Sequence, residues 1–211
     1  MHRLVQLSIH NWLEQAGNKV KYEGQALQRL SDQFPKPKHE NMKTCQNLYP
    51  HAQAILGHNL RSDSSKEARA DLLHSVGCYE EQQGNYNVAE LQILEALSLF
   101  EEVKGENSVA LLNCKDELGL ILELQGTYEE AEKMHKQTLK SSESVLGKDH
   151  STTLRSMYNL GQALYSQRKY TEPEKMYRKT LELREVANGR DHHDTLQTLG
   201  VLASVIGDQG K

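Results

Sequence analysis

The chain has 211 residues, of which 37% are hydrophobic, with only two Phe and one Trp and a formal net charge of −4. No run approaches the ~18 apolar residues that cross a bilayer, the amino terminus lacks an apolar signal segment, and the three cysteines, Cys45, Cys78 and Cys114, stand far apart without a CxxC, which suggests neither a disulfide framework nor a zinc site. A soluble protein in the reducing cytoplasm, with no membrane role, fits this composition. Charge is unevenly spread, since residues 1–61 sum to +4 and the remainder to −8, and an acidic surface repels phosphate backbones, which argues against nucleic acid as a partner.

In chain order, residues 1–17 place Leu4, Val5, Ile9, Trp12 and Leu13 on one stripe and stop at Gly17, which predicts an amphipathic helix. A second helix is expected from about Asn18 to Phe34, with Val20, Ala26, Leu27 and Leu30 inward and Pro35 and Pro37 ending it. A third piece, from about Glu40 to Leu56, is expected to break at Pro50, where a new helix can begin. Residues 59–65 are polar and read as a connector, so residues 1–61 form a short helical domain ahead of an array over 62–211.

From Lys66 the sequence repeats. QGNYNVAE (83–90), QGTYEEAE (125–132) and RKYTEPE (168–174) put Tyr86, Tyr128 and Tyr170 at intervals of 42; Gly77, Gly119 and Gly161 keep the same interval, as do Leu97, Leu139 and Leu181, and Gly105, Gly147 and Gly189. A fixed period of this size predicts stacked units, each a helical hairpin with a helix A and a helix B. A glycine inside helix A costs about 1 kcal/mol against alanine unless something requires it; close approach of helix B, through Ala89 and Ala131, is the expected requirement, with Ala203 in the fourth unit and the tyrosines covering the turns. Pro173 stands where the other units have alanine, tolerable if helix B begins just before it with Thr171 as cap. Between units a glycine stop precedes polar cap candidates. The fourth unit has a helix A and no helix B before Lys211, an open end that could support self-association.

Several residues invite chemical readings. Asp191, His192, His193 and Asp194 resemble metal ligands, but Asp149 and His150 hold the same register one unit earlier, at a helix start where side chains accepting from free N–H groups are expected. Cys78 and His74 share a helix face at i, i+4, yet a nucleophile needs an orienting group and an oxyanion donor, of which the sequence shows no sign. No catalytic constellation, metal site or cofactor site is expected, and the chain reads as a non-enzyme.

A small residue late in helix A, Gly-x-Tyr at the turn and Ala-Glu early in helix B together resemble the tetratricopeptide repeat over about 66–211. The 42-residue period and the linker G-x-D-H-x-x-T-L are similar to the kinesin light chain subclass. The resemblance implies an all-α, right-handed solenoid of about three and a half hairpins whose A helices line a concave groove. Carried across in register, that groove takes Asp71, His74, Cys78 and Glu81 from the first unit, Asn113, Asp116, Leu120 and Glu123 from the second, and Arg155, Tyr158, Gln162 and Tyr165 from the third. The expected ligand is a protein or peptide, an extended segment with basic and apolar side chains.

At the amino end, MHRLVQ, a helix with a central Trp-Leu, a Phe-Pro stop and Leu-Tyr-Pro-His-Ala-Gln are similar to the junction in fungal NB-ARC/TPR proteins of the STAND class, relatives of NLR receptors. There a Met-His-Asp triplet closes the ATPase module and its His helps hold ADP. Met1 and His2 match, whereas Arg3 replaces the Asp, and no Walker A appears. The resemblance implies a sensor arm of such a receptor, with His2 touching nucleotide only in a longer parent. Two alternatives accompany it: part of a nucleotide-dependent switch, or a kinesin-type cargo adaptor, for which residues 1–60 supply no coiled coil.

Overall fold

The computed structural model describes residues 18–58 and 63–210, and its regular structure is helical, with no strand among the described residues. The helix expected over 1–17, His2 and the boundary at 61/62 lie outside the described residues. The chain divides into two compact units, Met1–Val103 and Lys104–Lys211.

In the first unit, α1 (Lys19–Gln33) is followed by a short 3-10 turn (His39–Asn41), α2 (Met42–Leu56), α3 (Asp63–Gln82) and α4 (Tyr86–Lys104). Helix α1 stops where Phe34 turns extended, with ψ 109, because the ring of Pro35 excludes helical backbone at the residue before it. Leu27, Phe34, Cys45, Ala52, Ile55, Leu72, Val76 and Tyr79 form the core, with Leu30 partly buried against it, and the Tyr79 ring meets Phe34 edge-on at 6.4 Å and Tyr49 at 5.1 Å. Two expectations fail here. Val20, on the stripe of Leu27 but in the first turn, is 69% exposed, and Ala26, one residue off that stripe, is exposed as well; the packing partners reach only the later turns. Helix α2 also runs unbroken through Pro50. Pro50 and Gln46, whose carbonyl loses its donor, both face solvent, where water replaces the missing bond.

In the second unit, α5 (Val109–Leu124) pairs with α6 (Tyr128–Leu146), α7 (Ser151–Ser166) with α8 (Thr171–Asn188), and α9 (His193–Gln209) packs on α8. Helix α5 also meets α7, so the hairpins stack side by side. The B helices end at Gly147 (φ 87) and Gly189 (φ 90), left-handed positions that favour glycine. The next A helices are capped by side chains: Ser108 accepts from Leu111 N–H, His150 from Thr152 N–H and His192 from Asp194 N–H. Thr153 and Thr195 donate their hydroxyls to the Gly147 and Gly189 carbonyls at 2.7 and 2.9 Å, repeating the same stitch 42 residues apart. His192 is therefore a helix cap, like its counterpart His150.

The interior glycines do lie under helix B, but the expected alanines are not what fills the space. A Cβ at Gly77 would meet Ile93 Cδ1 at 2.8 Å, at Gly119 the His135 ring, and at Gly161 Tyr177 Cζ at 2.8 Å. Residues 93, 135 and 177 form one register, four positions after Ala89, Ala131 and Pro173. A large side chain occupies the hollow that glycine leaves, and the small residue lets the backbones close beside it. Thr171 is the first residue of α8, whose cap is Tyr170, so Pro173 falls in the first turn, where its missing N–H has no helical acceptor. Tyr170 packs edge-on to Tyr165 at 6.0 Å, whereas Tyr128 is 39% exposed and covers little. No helix among the described residues is long and apolar enough to cross a membrane.

Candidate functional site

The A helices of the second unit bring Asn113, Arg155 and Gln197, one register at 42-residue steps, to the wall of an open groove of about 630 Å³. Val109 and Leu120 from α5, Tyr158 and Asn159 from α7 and Arg184 from α8 also line it, together with the acidic Asp194 of α9 and the residues at the start of α7.

Beneath it lies a charged layer. Asp116 is 1% exposed; it accepts from Ser156 Oγ at 2.7 Å and meets Arg155 Nη2 at 3.4 Å and His135 Nδ1 at 3.4 Å. The other ring nitrogen of His135 meets Glu123 Oε1 at 3.2 Å. An imidazole with a carboxylate on each nitrogen donates twice only when doubly protonated. Burial opposes that charge, but the hydrogen bonds and charges of Asp116 and Glu123 outweigh it and raise the His135 pKa above its ordinary value. Asp116 and Glu123, expected as open acids of the groove, are thus turned inward: Asp116 is sealed under Arg155, and only 8% of the Glu123 side chain is exposed. An unpaired carboxylate at such depth would be costly.

The residues carried by α7, from the third repeat, behave differently. Arg155 keeps 43% of its side chain exposed and donates from Nη2 to Asn113 Oδ1 at 2.6 Å. Tyr158 is half-buried, edge-on to Tyr177 at 5.6 Å, and Arg184 lies over its ring at 5.1 Å. Burial raises the Tyr158 phenol. Gln162 accepts from Tyr177 O–H at 3.2 Å, and Tyr165 donates to Asp208 on α9; both are engaged within the fold. In the first unit, Asp71, His74, Cys78 and Glu81 share a half-buried face of α3, and Cys78 Sγ lies 3.8 Å from His74 Nε2.

Reading by register alone misses four residues that matter. Arg184, 4% exposed, occupies the register of Phe100 and Ser142, both buried; a charge in a buried register was the available signal. His135 likewise departs from Ile93 and Tyr177. Asn159 and Ser156 carry no such mark. On α9, Leu196, Leu199 and Ile206 are 52%, 50% and 43% exposed, whereas their register mates Leu154, Met157 and Leu164 are buried.

Comparison with known proteins agrees with this geometry. The family model described as tetratricopeptide repeat matches residues 67–142 and 108–185. A nucleotide-binding leucine-rich repeat (NLR)-like protein of Hyaloscypha variabilis is 40% identical over 107 residues, 51% of this chain but 11% of that relative's length. Among solved structures, BtubC (BKLC) from P. vanneervenii superposes with a TM-score of 0.67 at 19% identity, covering 81% of this chain and 67% of that one. A Podosopora anserina putative kinesin light chain with nearly identical TPR-like repeats superposes at 0.64 and 16% identity, covering 92% and 88%.

Proposed function

We propose, since the chain belongs to the tetratricopeptide repeat family, that it is a non-catalytic scaffold in the cytoplasm that holds a segment of a partner protein against the A helices of its second unit. The observation that carries this is the register of Asn113, Arg155 and Gln197 along an open groove: the repeat returns side chains of different chemistry to one wall, and a graded polar and aromatic wall suits an extended segment. Tyr158 adds contact area at small entropy cost.

The likeness to the NLR-like protein supports a second layer of the reading, in which these repeats are the sensing arm of a nucleotide-switched receptor. A cargo-adaptor role has less support, because the kinesin light chain likeness lies under 20% identity and speaks for the fold.

The test is selection of binders from a random peptide library displayed on phage, with each binder mapped by hydrogen exchange. Protection is expected along α5 and α7, centred on Asn113 and Arg155. Binders that protect only the B helices α6 and α8 would remove the groove from the account.

A further inference from the structure

We propose that the face of α4 turned away from α3 is a second docking surface, separate from the groove, and that it takes an amphipathic helix of a partner protein, apolar along one side with basic flanks. The observation is a break in the repeat. Val88, Leu91 and Leu94 are 43%, 69% and 44% exposed. At their register mates stand Glu130, Lys133 and Lys136 on α6, and Glu172, Lys175 and Arg178 on α8, all of them exposed. The same outward positions of helix B are therefore charged in two repeats and apolar in the first. Single exposed apolar residues are ordinary. Three at i, i+3 and i+6 lie within about a third of the helix circumference and ~9 Å of its length, which makes them one patch. The fold does not ask for them: α4 buries Ala89, Ile93, Ala96 and Phe100, and Ile93 fills the hollow at Gly77 of α3.

The occupant follows from the charges that remain. Along the same outward side, Glu95 takes the register of Gln137 and Lys179, and Glu102 that of Ser144 and Val186. Glu95 meets Arg69 Nε at 2.7 Å and Glu102 meets Lys66, yet their side chains keep 46% and 57% exposure. A carboxylate has acceptor sites enough for a second cation. Over its whole length α4 carries Glu90, Glu95, Glu101 and Glu102 against Lys104. An apolar patch followed by carboxylates complements leucine-like side chains with lysine or arginine beside them. The segment that presents them is a helix, because a helical surface offers no strand edge with which an extended chain could pair its backbone groups.

The test titrates the 15N-labelled 211-residue chain with three acetylated, amidated four-turn helical peptides. The first is built of leucine and lysine with the leucines on one side, the second of leucine and glutamate in the same pattern, and the third has the composition of the first with its leucines spread around the helix. The first is expected to move the backbone amides of Val88, Leu91, Leu94 and Glu95 and to bind about tenfold tighter than either control. The double substitution Leu91→Lys and Leu94→Lys copies the residue type of Lys133 and Lys136, which the repeat accepts at these positions, and is expected to weaken that binding at least tenfold. Equal affinity for the three peptides, shifts centred outside α4, or unchanged binding by the double variant would overturn the proposal. Two other occupants leave their own signatures, and either would overturn it as well. If residues 1–17 cover the patch, the emission of Trp12, the chain's one tryptophan, shifts in the double variant without any peptide. If a second copy covers it, sedimentation shows a dimer that the double variant lacks. Should the double variant not fold, the wild-type titrations and their shift maps decide.

Discussion

A Cβ placed on Gly119 would lie 2.4 Å from Cε1 of His135, which makes the glycine and the buried imidazole a matched pair. Gly119→Ala is expected to force the imidazole off its two carboxylates and to cost well over the ~1–3 kcal/mol of an ordinary overpacked core. Gly200→Ala, in α9, where nothing stands within 4 Å of the added carbon, is expected to gain about 1 kcal/mol from helix propensity alone. Urea midpoints for the two variants check both signs, and similar midpoints would refute the pairing.

The raised pKa of His135 fixes a pH dependence. A group whose folded pKa exceeds its unfolded value contributes stability fully below the unfolded value, about 6.5, and loses it as pH rises through the folded one. The second unit is therefore expected to weaken from near pH 6.5 upward. In His135→Ile, the residue found at Ile93, that decline should vanish, and stability at pH 6 should fall by about 3–5 kcal/mol because Glu123 is left buried without its cation and Asp116 keeps only Arg155. Thermal melts from pH 6 to 9 measure both; a slope that survives the substitution assigns the titration elsewhere.

Glu132 gives the opposite sign. Burial would raise its carboxyl, but hydrogen bonds from Lys136, Lys169 and Gln167 bring it down to about 2 from the ordinary 4.5. Its contribution is present above 4.5 and is lost as pH falls through 2. Glu132→Gln should therefore flatten part of the acid limb between pH 4.5 and 2 and cost about 1 kcal/mol at pH 7, since Lys136 and Lys169 are largely solvent-screened. Identical acid denaturation in the two proteins would count against the linkage.

Thr153 tests the stitch between hairpins. Its hydroxyl is buried and donates to the Gly147 carbonyl at 2.7 Å. Thr153→Val keeps the shape and removes the donor, so a loss of about 1–2 kcal/mol is expected, with the equivalent Thr195→Val at 2.9 Å behaving alike. Two substitutions of unequal sign would show that the shared register does not carry shared energetics.

The hairpins, their glycine stops and the nearness of helix B to Gly77, Gly119 and Gly161 were legible because a 42-residue period repeats the same backbone demand several times, whereas the side chains that fill the hollows, Ile93, His135 and Tyr177 in place of the expected alanines, were not. What register could not supply was depth. Asp116 and Tyr158 are equivalent by register, yet Asp116 is sealed and Tyr158 half open, because the first is covered by Arg155 reaching across from the next helix. A long side chain 39 residues away decides which neighbour meets solvent, and one-dimensional spacing does not encode that. Pro50 is a related case: whether proline breaks a helix depends on whether the orphaned carbonyl faces solvent, which spacing along the chain does not encode.

Asp116 is held from two directions, by His135 of its own hairpin and by Arg155 and Ser156 of the following one. The units, similar in sequence, are consequently not interchangeable cassettes. Placing a different hairpin after α5 and α6 would strand this anion beside a neighbour without Arg155 and Ser156, so the order of these two hairpins is written into the buried layer between them.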